Sequence, residues 1–403
     1  MEMEKKGGFM EWLDKRLAIN ALWRVLMSEY YLPKNINWLW SSGVLTILVF
    51  VILVVSGIFV LMYYKPDAKL AFDSVNKTIM MDVAYGWVFR HTHAVAASIM
   101  FLVLFVHMGR GIYYGSYKAP REVLWVTGFI LFVLMAATAF TGYLLPWGQM
   151  SYWAAQTITT LFSKIPFIGP DLVIWIRGNY IVEDATLTRF FALHVTLLPA
   201  LILVFTAVHL YALRIVGSNN EDGIPMTKEE KKEKGIPFWP VFMSKEYFVM
   251  SLFLLFFFYL VFFNYNFAMD PINFQPADYL QTPPHIYPEW YFLAFYEVLR
   301  GFFFSQNLGL IAFVLSMFIP LFLPWLDRSP YPYVSGKHRP MFKVLWWIFV
   351  ADFIALTVLG KLPPTGLFAW MGFVTSIIYF IFFLALPIIS AIEKKKAVSG
   401  GGQ

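Results

Sequence analysis

The sequence contains no cysteine. That excludes disulfides, iron–sulfur clusters ligated by this chain and thioether-linked haem, so any redox cofactor must be held in another way. Charge is nearly as scarce: 14% of residues are charged against 59% hydrophobic and 20% aromatic, with a mean hydropathy of +0.62. Such a composition excludes a water-soluble surface and places the chain in a bilayer. Tandem repeats are missing too, and no cleavable pattern precedes the first apolar run, so the polar, amphipathic start carrying Lys5, Lys6, Lys15 and Arg16 reads as mature sequence.

What is present is long apolar runs. Stretches able to cross about 30 Å of hydrocarbon fall at 39–64, 84–109, 123–147, 190–213, 247–269, 307–326, 344–360 and 367–392. They predict an all-α membrane protein of eight transmembrane helices. Basic residues gather in cytoplasmic loops, and here they gather in 110–121 (Arg110, Lys118, Arg121), in 327–343 (Arg328, Lys337, Arg339 and Lys343 against Asp327) and in the tail (Lys394, Lys395, Lys396). The connection 267–300, with Asp270, Asp278, Glu289 and Glu297 against Arg300, goes outside, and both termini then lie in the cytoplasm. The net charge of +6 reflects this bias and contact with anionic lipid, not nucleic acid. The predicted divisions are a surface segment at 1–38, a four-helix bundle at 39–215, a charged inner linker at 216–246 whose part from Asn219 to Lys234 is solvated, four further spans at 247–392, and an inner tail at 393–403.

Of the seven histidines, four recur at regular steps inside predicted spans, His93 and His107 in the second and His194 and His209 in the fourth. A helix turns about 100° and rises about 1.5 Å per residue, so a step of 14 returns to within roughly 40° of one face about 21 Å further along, and a step of 15 to within roughly 60°. Both spans run from outside to inside, which pairs His93 with His194 at the outer depth and His107 with His209 at the inner. Paired imidazoles are natural axial ligands for a low-spin b haem with no open coordination position. The bundle is therefore expected to hold two non-covalent b haems. Helix–helix hydrogen bonding accounts for a single intramembrane histidine, but four at matched depths ask for more. His91 stands about 160° from the face of His107 and is not read as a ligand, and His285 and His338 fall in loops.

Glycine repeats the step of 14: Gly43 and Gly57 in the first span, Gly128 and Gly142 in the third. Without a side chain, each lets a flat ring approach the helix, Gly43 and Gly128 at the inner level and Gly57 and Gly142 at the outer. Small-residue helix packing is the alternative. Arg90 and Arg110, three residues from His93 and His107, suit haem propionates, although snorkelling to the interface explains them equally.

Further motifs, GYLLPWGQMSYW (Gly142–Trp153), RFFALH (Arg189–His194), GIYYGSYKAP (Gly111–Pro120) and PEWY (Pro288–Tyr291), make the chain resemble cytochrome b of the cytochrome bc complexes along nearly its whole length. The resemblance implies a bacterial inner-membrane subunit that oxidises quinol at the outer face. One electron then passes to a Rieske iron–sulfur protein and the other through the outer, low-potential haem to the inner, high-potential one, where quinone is reduced and proton translocation is completed. Implied partners are the Rieske protein, a cytochrome c-type subunit and a second copy of the complex. Glu289, in PEWY, matches the glutamate that takes a proton from quinol, and a carboxylate in an apolar pocket can have its pKa raised to suit that role. Tyr143, Met150, Ala154 and Tyr296 complete the implied outer site. Arg214, Ser218, Lys245 and Glu246 form the implied inner quinone site, with Glu246 in place of the usual aspartate.

Three departures refine the placement. The 15-residue step in the fourth span and Arg214 resemble the photosynthetic branch, yet the eight spans are fused and the cysteine for that branch's extra haem is missing, which favours a bacterial respiratory member. Ala154 replaces a common glycine, and its methyl group is expected to crowd strobilurin-type inhibitors. Two other functions compete: a proton-relaying transporter, for which inverted repeats are lacking, and a haem-bearing anchor for another oxidoreductase, which leaves the acidic outer loop unexplained.

Overall fold

A computed structural model describes residues 8–330, 332 and 334–400. Lys5 and Lys6 lie outside the described residues, as do positions 401–403 and the side chains of Lys395 and Lys396. The described residues are mostly helical, and among them eight helices are long and apolar enough to cross a membrane: Trp38–Tyr63, Gly86–Tyr113, Glu122–Leu144, Asp184–Val216, Phe238–Phe263, Gln306–Leu326, Pro340–Leu359 and Gly366–Lys394.

Span one packs along span two and span three along span four, while spans six to eight gather around the short helix Leu293–Gly301. One core, with Ile99, Met100, Phe101, Phe129 and Phe132, joins spans two, three and five to Tyr291 and Phe295. A second, with Phe342, Trp346, Tyr379, Phe382 and Phe383, fills the C-terminal part. Span two starts at Gly86 because nothing larger fits: a Cβ there would lie 2.1 Å from the carbonyl oxygen of Ile79.

Spans four and five depart most from the expected helices, span four also in its internal geometry. Span five begins at Phe238 and ends at Phe263, where Asn264 leaves helical geometry (φ −144°) and short 3₁₀ turns follow at Tyr265–Ala268 and Pro271–Phe274. A hydropathy window passes over its charged first turn, so Lys245 and Glu246 lie inside the helix and not before it. Within span four, Leu193–Leu197 forms a π-helical turn. Such a turn holds one residue more than its α-helical equivalent. The 15-residue step from His194 to His209 therefore covers the rotation of a 14-residue step, and the mismatch of roughly 60° shrinks to that of span two.

The expected solvated linker is half packed. Asn219 and Asn220 are buried, with Asn219 Nδ2 donating to the Tyr114 carbonyl (2.8 Å) and Asn220 Nδ2 to the Ile224 carbonyl (2.7 Å). Polar side chains there satisfy buried backbone groups. Only Lys228–Lys234 forms a solvated helix, capped by Thr227, whose hydroxyl accepts from the amide of Glu230 (3.1 Å).

The connections cluster at two ends. At one, Lys118 and Arg339 reach Asp327, Arg339 reaches Glu393 (2.7 Å), and Asp222 binds both Lys337 (2.9 Å) and His338 (3.0 Å). These are the connections expected inside. At the other end the loop 270–281 closes over the helix Gln149–Leu161: Gln149 N donates to the Gln275 carbonyl (2.9 Å), Ala277 N to the Trp147 carbonyl (3.0 Å) and Trp153 Nε1 to the Asp278 carbonyl (3.1 Å). Gly148 permits this closure, since a Cβ would meet the Asn273 carbonyl oxygen at 2.2 Å.

Candidate functional site

His93 of span two and His194 of the π turn face each other with ring centroids 6.2 Å apart and planes at 78°. The gap is too wide for the rings to touch and suits a single atom held between them. His107 and His209 lie further along the same two spans, the first against Gly43 and the second against Gly128.

All four rings are oriented in the same way. Ser56 Oγ lies 3.1 Å from His93 Nδ1, Ser42 Oγ 3.2 Å from His107 Nδ1, and Thr127 Oγ1 3.1 Å from His209 Nδ1. Each hydroxyl already donates its one hydrogen to a helix carbonyl, Ser56 to Ile52 (2.6 Å), Ser42 to Leu39 (2.6 Å) and Thr127 to Val123 (2.9 Å). The ring nitrogen must then be the donor. His194 Nδ1 donates directly to the Thr138 carbonyl (2.9 Å). With Nδ1 protonated four times, Nε2 is the bare nitrogen in every ring, as a metal ligand requires.

The glycines sit against these imidazoles. A Cβ would lie 3.3 Å from His107 Cε1 at Gly43, 3.1 Å from His93 Cε1 at Gly57, 3.0 Å from His209 Cε1 at Gly128 and 2.3 Å from His194 Cε1 at Gly142. The flat ring that each glycine admits is thus a ligand ring on the neighbouring span. The residue before each glycine is a hydroxyl: Ser42, Ser56, Thr127 and Thr141. The repeating unit at the histidine period is therefore a Ser/Thr–Gly pair, of which glycine spacing alone shows one half. Imidazole pairs with bare Nε2 atoms, cradled by glycine, fit a haem iron at each depth.

A cavity of about 270 Å³ extends from the outer pair. Its lining includes Gly57, His93, Gly142 and His194 together with Arg90, Tyr143, Asp270, Asn273, Glu289 and Tyr291. Burial lifts the Glu289 carboxyl to about 8; Asp270 adds to the rise, while the Tyr143 hydroxyl, Arg90 and Lys361 oppose it. Asp270, read from the sequence only as an outer-loop charge, and Asn273 join the site because the loop folds inward, and Asp270 accepts a hydrogen bond from Tyr287. Met150 and Ala154 are buried in the helix Gln149–Leu161 and do not reach the cavity wall. Tyr296 lies outside the wall as well, its hydroxyl donating to the Ile286 carbonyl (3.0 Å) and its ring under Arg300 at 4.6 Å.

The inner residues gather around the start of span one. Ser41 Oγ donates to Glu246 Oε1 (2.8 Å), Trp40 Nε1 to Ser218 Oγ (3.2 Å), and the Lys245 ammonium rests 4.5 Å from the centre of the Trp38 ring. Arg214 stacks on Tyr30 (4.0 Å) and Phe238 (4.8 Å), and Arg110 on Trp40 (4.8 Å). Lys245 and Glu246, adjacent in sequence, diverge around the helix. Glu246 Oε2, Arg214 Nη1 and Arg110 Nε are buried and find no hydrogen-bond partner among the described residues. His91 is buried against Tyr265, stacked at 3.7 Å, and faces away from the paired rings.

Residues 27–217 match the family described as cytochrome b/b6/petB, and residues 276–380 that described as cytochrome b(C-terminal)/b6/petD. The chain is 44% identical to the cytochrome b of Allochromatium vinosum, across 96% of this chain and 97% of that one. It is 42% identical to the cytochrome b of Cereibacter sphaeroides, across 98% and 92%. Among solved structures, a chain of a hyperthermophilic respiratory Complex III superposes with a TM-score of 0.90 at 39% identity, covering 96% of this chain and 99% of the other.

Proposed function

Because this chain belongs to the cytochrome b family, a family of haem-binding membrane subunits of Complex III oxidoreductases, we propose that it oxidises quinol in the outer cavity and reduces quinone at the inner end. His93 with His194, and His107 with His209, would hold two b haems, and Arg90 and Arg110, three residues from His93 and His107, would offer cations to their propionates. Haems held there by two imidazoles each would supply one-electron transfer without oxygen chemistry.

The protein's own part at the outer site is proton handling. Quinol gives up two protons and two electrons on becoming quinone. Glu289, in its charged form, accepts a proton from a quinol hydroxyl and releases it outside, with Tyr143 orienting the carboxylate. One electron leaves toward a Rieske iron–sulfur partner and one across the membrane. At the inner end Arg214, Ser218, Lys245 and Glu246 bind quinone as it collects electrons and protons from the cytoplasm. The subunit turns over only beside its Rieske and c-type partners, in a homodimeric complex of the bacterial inner membrane, with both termini cytoplasmic.

The carrying observation is the continuous cavity that joins the His93/His194 pair to a carboxyl lifted to about 8. The test is a reduced-minus-oxidised spectrum with quinol–cytochrome c activity on the purified complex. Two b haems per chain are expected, together with a loss of about 10²–10⁴-fold in quinol oxidation in Glu289→Gln at unchanged haem content. Fewer than two haems, or full activity in that variant, overturns the reading.

A further inference from the structure

We propose that Ser41 is a positioning residue of the inner quinone site, fixing one oxygen of Glu246 so that the other meets the quinone head group. This rests on the assignment of Glu246 to that site. Glu246 lies in the first turn of the helix Met243–Phe263, where the helix dipole favours a carboxylate, and only 2% of it is exposed. Ser41 Oγ occupies Oε1 at 2.8 Å, while Oε2 is also buried and has no partner among the described residues. A buried carboxylate oxygen left unbonded is costly, and a ligand head group that bonds it relieves that cost.

The surroundings point to that ligand. Residues 38–42 touch three of the four side chains assigned to the inner site: Trp38 meets Lys245, Trp40 bonds Ser218 and Ser41 bonds Glu246. The next residue, Ser42, accepts from His107 Nδ1 at 3.2 Å. Two consecutive serines thus fix a ligand-facing carboxylate and the inner imidazole to one rigid helix start. The bland alternative is that Ser41 merely ties span one to span five. Such a tie would serve assembly and leave quinone affinity alone.

The test uses the whole complex carrying full-length variants, pre-reduced and mixed with decylubiquinone without cytochrome c, so that oxidation of the b haems reports KM and kcat at the inner site. Ser41→Ala is expected to raise KM about tenfold, the loss of one charge-assisted hydrogen bond, with kcat within about twofold, and Ser41→Thr to restore KM. In the oxidised-minus-reduced infrared difference spectrum, the carboxyl band that disappears in Glu246→Gln should shift in Ser41→Ala. If Ser41→Ala fails to assemble, Ser41→Cys, of similar volume and weak as a donor, is read in the same way. A KM unchanged in Ser41→Ala but raised in Glu246→Gln overturns the proposal and leaves the inner site standing. A KM unchanged in both removes the inner-site assignment and the proposal with it.

Discussion

Gly142 leaves no room for even a methyl group, because a Cβ there would come within 2.3 Å of the His194 ring. Real Cβ atoms do not approach so closely, so the imidazole must move off its axis. The same test gives 3.0 Å at Gly128, 3.1 Å at Gly57 and 3.3 Å at Gly43. Alanine substitution should therefore be graded: Gly142→Ala loses the outer haem, while Gly43→Ala keeps both with a small spectral shift, as a haem-to-protein ratio on purified complex will show. Equal tolerance at all four positions would mean that the glycines serve only helix packing. Glu289 gives a second outcome at this scale. Its carboxyl is raised by burial to about 8, so it is neutral below that pH and becomes a base above it. Quinol oxidation should rise as pH climbs through about 8, and Glu289→Gln should flatten that rise. The sign for stability is opposite: the neutral form suits the buried site, and the fold loses its contribution as pH rises from the ordinary carboxylate range toward 8. The histidine pairs were legible from spacing because a lone intramembrane imidazole can be satisfied by a neighbouring helix, whereas four at two matched depths need something shared between them. Their tautomers were not, since Ser42, Ser56 and Thr127 look like ordinary helix hydroxyls until their distances to Nδ1 are known.

The element scale turns on the π turn at Leu193–Leu197. Its surplus residue lets a 15-residue step do the work of 14, so removing one residue beside His194 should let the turn relax to α-helix without moving His209 off the shared face. Deletion of Val195 is expected to keep both haems. Deletion of Met100, between His93 and His107 in a regular helix, rotates the inner ligand by about 100° and should abolish the inner haem. The measurement is the b-haem spectrum of each variant complex, and loss of haem in the Val195 deletion would show that the bulge is needed for more than register. Periodicity alone treats every helix as regular, which is why the step of 15 looked like a worse fit than it is. Span five illustrates the converse limit. Lys245 and Glu246 depress hydropathy at its start, and only the inward turn of Glu246 to Ser41 and the stacking of Lys245 on Trp38 reveal that a helix can carry both.

For the molecule as a whole, the eight helices and their order followed from apolar runs, whereas the joint between the haem bundle and the C-terminal spans did not, because it depends on charges far apart in sequence. Tyr117 and Lys118 come from the turn after span two, Asp327 and Arg339 from the connection before span seven, and Glu393 from the end of the last helix. Arg339 Nη1 lies 2.8 Å from Asp327 Oδ2 and its Nε 2.7 Å from Glu393 Oε2, with Tyr117 also donating to Asp327. Burial alone would raise the Asp327 carboxyl, but Arg339 and Lys118 outweigh it and hold it below its ordinary range. A depressed carboxylate contributes stability above its unfolded pKa and loses it as pH falls through the folded value. The joint should therefore be indifferent to pH near neutrality and fail only in strong acid. Removing one partner is more severe, since it strands a buried charge at a cost of about 3–5 kcal/mol. Arg339→Met should lower the thermal midpoint of the purified complex and speed amide exchange in spans seven and eight ahead of spans two and four. The double variant Arg339→Met with Asp327→Asn, which strands less charge, should recover part of that loss. Additive destabilisation in the double variant would show that the two residues act separately and that the joint is not held by their pairing.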